Sequence, residues 1–147
     1  MKLHSLYLSL GSNLGDRHAL LRQAIELLAG RVGVVRRQSS FIETEPWGFE
    51  SEHPFLNAVI CLETELTPVR CLIETQTIER ELGRLQKSSD GHYHDRPIDI
   101  DILLYDDLRF STSVYTPWGY QRLIVPHPLM QERDFVMRPL NEIMQDQ

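Results

Sequence analysis

The chain has 147 residues, 41% of them hydrophobic and 24% charged, with a net charge of -6 at pH 7. That length suits a single domain (1–147) with one core, burying roughly 70% of the surface its unfolded chain exposes. The negative charge excludes general binding to nucleic acid or an anionic membrane, while leaving room for a local basic pocket that takes phosphates.

Leu3 to Leu10 is rich in β-compatible residues and ends at Gly11, which predicts a first strand. Asp16 can cap a helix to about Ala29, with Leu20, Leu21, Ala24, Leu27 and Leu28 at helical spacing. Val32 to Ile42 reads as a second strand, and Glu43 to Pro54, with Pro46, Gly48 and Pro54, as an irregular loop. Phe55 to Leu66 is a third strand. Thr67–Pro68 then starts a helix to about Leu82, a capping hydroxyl followed by proline at the first helical position. Gly83 to Asp95 is a polar surface loop, and Pro97 to Tyr105 is the clearest strand in the sequence. Asp106 to Arg122 reads as a long connection containing Pro117 and Gly119, Leu123–Val125 as a short segment, and Phe135 to Met144 as the last helix.

The order strand, helix, strand, strand, helix, strand predicts an α+β fold: a ferredoxin-like α/β sandwich with a mainly antiparallel sheet and long active-site loops. Helices on one face would leave the other face free for a ligand. Cys61 and Cys71 read as buried thiols rather than a disulfide scaffold. No apolar run can span a bilayer, and no signal-peptide pattern follows Met1, so a cytoplasmic protein is expected.

The richest stretch for chemistry runs from Asp95 to Leu104. On a strand Asp99 and Asp101 share one face, roughly 6.6 Å apart, while Ile98, Ile100 and Ile102 share the other. Two carboxylates so spaced can hold one or two magnesium ions together with phosphate oxygens. A solvated strand face is the plain alternative, but isoleucines built for burial favour carboxylates lining a cleft. Arg96 can grip phosphate bidentately, or serve only as a surface ion-pair partner.

Gly11 to Asp16 lies between strand and helix but lacks the Gly-Lys-Ser/Thr ending of a phosphate loop, so a structural turn is the better reading. Gln76 and Glu79 are helix neighbours on the broad face of Leu72. Spacing alone favours a solvated face for them over a polar patch beside a pocket. His92, Tyr93, His94 and Asp95 lack the companions that zinc requires, and read as a histidine-containing loop. His127, between two prolines, reads as a rigidly placed donor, and Phe55 and Phe135 fit core positions.

Taken together, these residues resemble the 6-hydroxymethyl-7,8-dihydropterin pyrophosphokinase family over nearly the whole chain. The matching motifs are Gly11–Leu14, Ser39–Phe41, Thr44–Gly48, Leu56–Ala58, Arg96–Leu103 as Arg-x-x-Asp-x-Asp-x-Leu, Val125–His127, Arg133 with Phe135, and Pro139–Leu140. The resemblance implies an enzyme that transfers pyrophosphate from ATP to the hydroxymethyl group of a dihydropterin in folate synthesis, releasing AMP. It implies that Asp99 and Asp101 hold two magnesium ions. It also implies that Phe55 and Phe135 sandwich the pterin ring while Thr44 and Asn57 read its edge. Trp47 would wall that pocket, with Asp99 also near the pterin.

Gln76, Glu79, Arg84, Lys87, Arg96, Ile102, Arg122, His127 and Arg133 match positions that handle ATP or its phosphates, and Arg96, His127 and Arg133 would offset charge at the bridging oxygen. The departures are Gln86 in place of an arginine, Asp95 before the signature arginine, Pro128 after the histidine, and the long 106–122 connection. A monomer acting on ATP and the dihydropterin, without nucleic acid or membrane partners, is expected. The competing readings are a two-metal phosphodiesterase, which would need a basic track, and a ferredoxin-like nucleotide-sensing module, which would leave the aspartates without a task.

Overall fold

The computed structural model describes residues 2–45, 53–83 and 97–144. Strands β1 (His4–Ser12), β2 (Gly33–Gln38), β3 (Ile42–Thr44), β4 (Phe55–Thr64) and β5 (Asp99–Tyr105) form one antiparallel sheet in the order β2-β4-β1-β5, with β3 also on β4. Helix α1 (Arg17–Arg31) joins β1 to β2, and α2 (Pro68–Glu81) joins β4 to β5. This is the ferredoxin-like arrangement expected from the element order.

Both early helices start where their caps place them. The Asp16 carboxylate accepts the Ala19 N–H at 3.1 Å, and the Thr67 hydroxyl accepts the Arg70 N–H at 3.2 Å, each satisfying a donor that the first turn leaves open. Leu21, Ala24 and Leu28 of α1 pack with Cys71, Leu72 and Ile78 of α2 on one face of the sheet, against Leu6, Leu8, Leu10, Ile60, Leu62, Ile98, Ile100 and Ile102. Burial pushes the Cys71 thiol up to about 12 and raises that of Cys61, so both stay protonated and unreactive at neutral pH.

Three expectations need correction. The stretch expected as one strand over Val32–Ile42 is broken at Ser39. There the buried hydroxyl accepts the Val59 N–H at 2.9 Å while the Ser39 N–H donates to the Val59 carbonyl at 2.9 Å. A side-chain oxygen replaces the backbone acceptor, so the regular ladder stops and resumes as β3.

The second sheet face is not left free. Helix α3 (Asp134–Met144) lays Val136, Leu140 and Ile143 over Tyr7, Val59, Cys61 and Leu103, with Met130 beside them. An apolar helical stripe has to be buried somewhere, and α3 buries its own against this face.

The stretch read as a long connection over Asp106–Arg122 is mostly a hairpin of β6 (Phe110–Thr116) and β7 (Gly119–Val125). Its two-residue loop, Pro117–Trp118, is held by the Thr116 hydroxyl, which accepts the Trp118 N–H at 3.1 Å and donates to the Gly119 carbonyl at 2.8 Å. Gly119 has φ +105°, a conformation suited to glycine. Val114, Leu123 and Val125 join the core, whereas Ser111, Thr112 and Ser113 are exposed, which blurs the alternation in the sequence.

Candidate active site

β5 is an edge strand of the sheet, and its alternation separates two environments. Ile98, Ile100 and Ile102 are at most 6% exposed beneath the helices, while Asp99 and Asp101 are half-buried on the opposite face. The register sets Asp101 opposite Ser9 and Asp99 opposite Gly11 on β1, and Gly11 opposite Asn57 on β4. Both carboxylates therefore lie on the sheet face that α3 leaves open.

What holds them there comes from α2. Glu79 is buried, and its carboxylate accepts the Ile100 N–H, the peptide between the two aspartates, at 2.6 Å. A buried charged acceptor on an edge-strand amide is a strong tie, because leaving either group unpaired costs about 1–3 kcal/mol. Gln76, one turn earlier, is also buried, with its Oε1 lacking a hydrogen-bond partner. The solvated face that spacing favoured for these two residues is thus corrected. α2 packs against β5, and helical spacing alone carries no information about that contact.

Beside β5 lies a cleft of about 160 Å³ between α2 and β7. Leu72 and Gln76 line one side, Ile100, Asp101 and Ile102 the floor, and Gln121, Arg122, Leu123, Ile124, His127 and Pro128 the other side. The backbone N–H of His127 donates to the Leu103 carbonyl at 2.9 Å, and its ring Nδ1 accepts the Leu129 N–H at 3.1 Å. With Nδ1 so occupied, the neutral ring carries its proton on Nε2, as a donor. Arg122 is exposed on the rim. Unpartnered amide oxygen, imidazole donor, carboxylate and guanidinium around an apolar floor suit a flat heterocycle carrying phosphates.

Of the residues expected to contact the pterin, Thr44, Phe55 and Asn57 come together where β3 pairs with β4. Thr44 and Phe55 are paired across β3 and β4, and the Asn57 amide donates to the Thr44 hydroxyl at 2.6 Å. Gly11 allows this, since a Cβ there would stand 2.9 Å from Asn57 Oδ1 and 3.4 Å from the Phe55 ring. Phe55 is 6% exposed, in keeping with its core-like reading. Phe135 is half-buried at the start of α3, with the buried Arg133 guanidinium 5.5 Å from its ring centre.

The turn Gly11–Asp16 is structural, as expected. Asn13 donates to the His53 carbonyl at 3.0 Å, and Arg17 reaches both Glu43 and the Pro54 carbonyl at 3.0 Å. These ties fasten the chain on either side of residues 46–52, next to Thr44 and Phe55. Trp47, Arg84, Gln86, Lys87, Asp95 and Arg96 lie outside the described residues, as does the histidine loop 92–95. Sequence reasoning singled out Arg122 but missed Gln121, Leu123 and Ile124 on the same wall, for which the Thr-Pro-Trp-Gly turn was the available signal. It also missed the anchors Asn13 and Arg17, which carry no local signal.

Fold and site together define a ferredoxin-like α+β domain whose paired-carboxylate strand runs beside a cleft lined by polar side chains. Residues 7–145 match the family model described as 7,8-dihydro-6-hydroxymethylpterin-pyrophosphokinase. The chain is 59% identical over 138 residues to the 2-amino-4-hydroxy-6-hydroxymethyldihydropteridine pyrophosphokinase of Porphyromonas gingivalis, covering 94% of this chain and 89% of that one. It is 44% identical over 140 residues to the enzyme of the same name from Bacillus subtilis, covering 95% and 77%.

Among solved structures, Plasmodium falciparum HPPK-DHPS, wild type with STZ-DHP, superposes with a TM-score of 0.78 at 16% identity over 97% of this chain; that likeness is one of fold. This chain spans 40% of that longer one. The chain belongs to the 7,8-dihydro-6-hydroxymethylpterin-pyrophosphokinase family and is a pyrophosphokinase of folate biosynthesis.

Proposed function

We infer that the chain binds ATP in the cleft between α2 and β7 and the dihydropterin at the open end of the sheet, with Asp99 and Asp101 between them. The hydroxymethyl oxygen attacks the β-phosphorus of ATP, and AMP leaves. The observation that carries this reading is the pair of half-buried carboxylates on one strand face, clamped through the Ile100 amide by Glu79 and flanked by the cleft.

The donor set fits magnesium. Asp99 and Asp101 supply two hard carboxylates, and no cluster of three or more His, Cys, Asp or Glu is found among the described residues. Magnesium is held by one or two carboxylates together with waters and substrate phosphates, so a site of this size suffices. Bound there as two ions, it would neutralise phosphate charge and lower the pKa of the acceptor hydroxyl.

The chain's own residues bind and orient. His127, its tautomer set by the Leu129 N–H, donates from Nε2 into the cleft, where Gln76 Oε1 awaits a donor such as an adenine amine. Thr44 and Asn57 hold the pterin edge, Phe55 and Phe135 its faces, and Arg133, braced on Phe135, adds positive charge. Trp47, Arg84, Lys87, Arg96, Ile102 and Arg122 complete the two pockets on the strength of the sequence resemblance, with Ile102 and Arg122 also lining the cleft. Phosphoryl transfer needs alignment and charge neutralisation more than covalent chemistry, which this arrangement supplies.

The test is direct: with ATP, Mg²⁺ and hydroxymethyl-dihydropterin, AMP should form only when the pterin is present. Release of AMP independent of the pterin, or none at all, would overturn the assignment. Phe135→Ala should weaken pterin binding in calorimetry, and unchanged affinity would remove Phe135 from the pocket.

A further inference from the structure

One wall of the nucleotide cleft belongs to the β6–β7 hairpin, whose two ends are held differently. Its root is seated in the core through Val114, Leu123 and Val125, and the chain just beyond it is tied to β5 by the His127 N–H on the Leu103 carbonyl. Its far end projects from the body, with Tyr115 and Tyr120 72% and 75% exposed. At the tip, the Arg80 guanidinium of α2 lies 4.6 Å from the centre of the Trp118 ring, and both side chains are half-buried.

The position of this contact follows from the periodicity of α2. Leu72, Gln76 and Arg80 are successive members of one i, i+4 row, so the helix stripe that lines the cleft ends in the residue that grips the hairpin. On the other wall Trp118 comes three residues before Gln121, the first cleft residue of β7. Helix and strand therefore flank the cleft side by side, and Arg80 with Trp118 bridges them at the hairpin-tip end. The Trp118 N–H is itself bound to the Thr116 hydroxyl at 3.1 Å, which fixes the root of the ring.

We propose that Arg80 and Trp118 are positioning residues for ATP: their stacked contact latches the hairpin tip to α2 and sets the width of the cleft that receives the nucleotide. The proposal rests on the nucleotide reading of that cleft given above. Neither side chain is among those lining it, so the latch acts on ATP through the placement of Gln121 to Ile124. A guanidinium over an indole face shifts an equilibrium by about two- to thirtyfold, enough to make an open hairpin a minor state.

The test compares Trp118→Leu, Trp118→Phe, Arg80→Ala and the double variant Trp118→Leu/Arg80→Ala, using kcat, both KM values, and calorimetric affinity for a nonhydrolysable ATP analogue. Trp118→Leu keeps apolar bulk but removes the π face. It and Arg80→Ala should each raise the ATP KM and the analogue Kd by about fivefold, with kcat and the pterin KM unchanged. Trp118→Phe should restore most of the affinity, and the double variant should be no worse than either single change.

Wild-type ATP affinity in Trp118→Leu, equal losses for both substrates, or additive single effects would each overturn the latch. Gln76→Ala/Arg122→Ala separates the two layers of inference. If that variant loses ATP affinity while Trp118→Leu does not, only the latch is wrong. If it binds ATP normally, the cleft is not the nucleotide site and the latch falls with it.

Discussion

Strand β5 has acidic side chains at both ends, Asp99 and Asp101 at its start and Asp106 just past its finish, and the two ends are built to opposite purposes. At the finish, one Asp106 oxygen bonds His4 Nδ1 at 2.6 Å, and the other accepts the Ser5 N–H at 2.8 Å. Burial alone would raise this carboxyl, but those two hydrogen bonds outweigh it and hold it below the usual carboxylate range. Its charge is engaged in fastening β1 to the end of β5. At the start, the clamp is on the backbone instead: Glu79 takes the Ile100 amide, and the aspartate side chains stay on the half-buried face beside the cleft. The same residue type thus fastens two strands just past the end of β5 and, in the function proposed above, binds ligand at its start. At the finish the carboxylate itself accepts from its neighbours, whereas at the start the Ile100 N–H donates to the Glu79 carboxylate.

The sharpest way to break this contrast is at the front. Asp101→Ala and Asp99→Ala should each reduce pterin-dependent AMP formation by at least about a thousandfold, with thermal midpoints close to wild type. Near-normal turnover in either would abolish the distinction between the two ends. Next comes the clamp. Glu79→Ala removes the carboxylate that accepts the buried Ile100 N–H and should cost about 1–3 kcal/mol of stability together with roughly tenfold in kcat, while Glu79→Gln, which keeps an acceptor, should recover most of the stability. Full activity in Glu79→Ala would show that β5 needs no support from α2.

Smaller effects are expected further out. Gly11→Ala puts a methyl 2.9 Å from Asn57 Oδ1, so the pterin KM should rise by about tenfold while the ATP KM holds. A change in the ATP KM instead would misplace the pterin pocket.

The smallest effect belongs to Asp106→Asn, at most about 1 kcal/mol, with kcat unaffected. A depressed folded-state pKa means that the wild-type carboxylate contributes stability above its unfolded value near ~3.9, and that this is lost as pH falls through the lower folded value. The gap in thermal midpoint between wild type and Asp106→Asn should therefore be present at neutral pH and close in acid. A gap that widens in acid would contradict the sign.

Much of this was legible in the linear chain because the causes are local. Asp16 and Thr67 mark helix starts through bonds to amides three residues on, and the Asp–Ile alternation of β5 follows from strand geometry alone. The motif spacing pointed to the family before any contact was known. The burial of Gln76 and Glu79 was not legible, since it depends on β5 arriving 21 residues later to be bonded. The break at Ser39 needed Val59, and the covering of the second sheet face needed α3 to find Tyr7 and Val59.

By itself the sequence determined where the caps start the first two helices, which side chains of β5 share a face, and which chemistry two aspartates so spaced could perform. Tertiary structure alone decided that the polar pair on α2 is buried, that a hairpin walls the cleft, and that Asp106 bonds His4 and Ser5 while Asp99 and Asp101 are half-buried on one face of β5. Periodicity specifies direction within an element, whereas partnership is settled only when elements distant in sequence compete for the same donors and the same apolar surface.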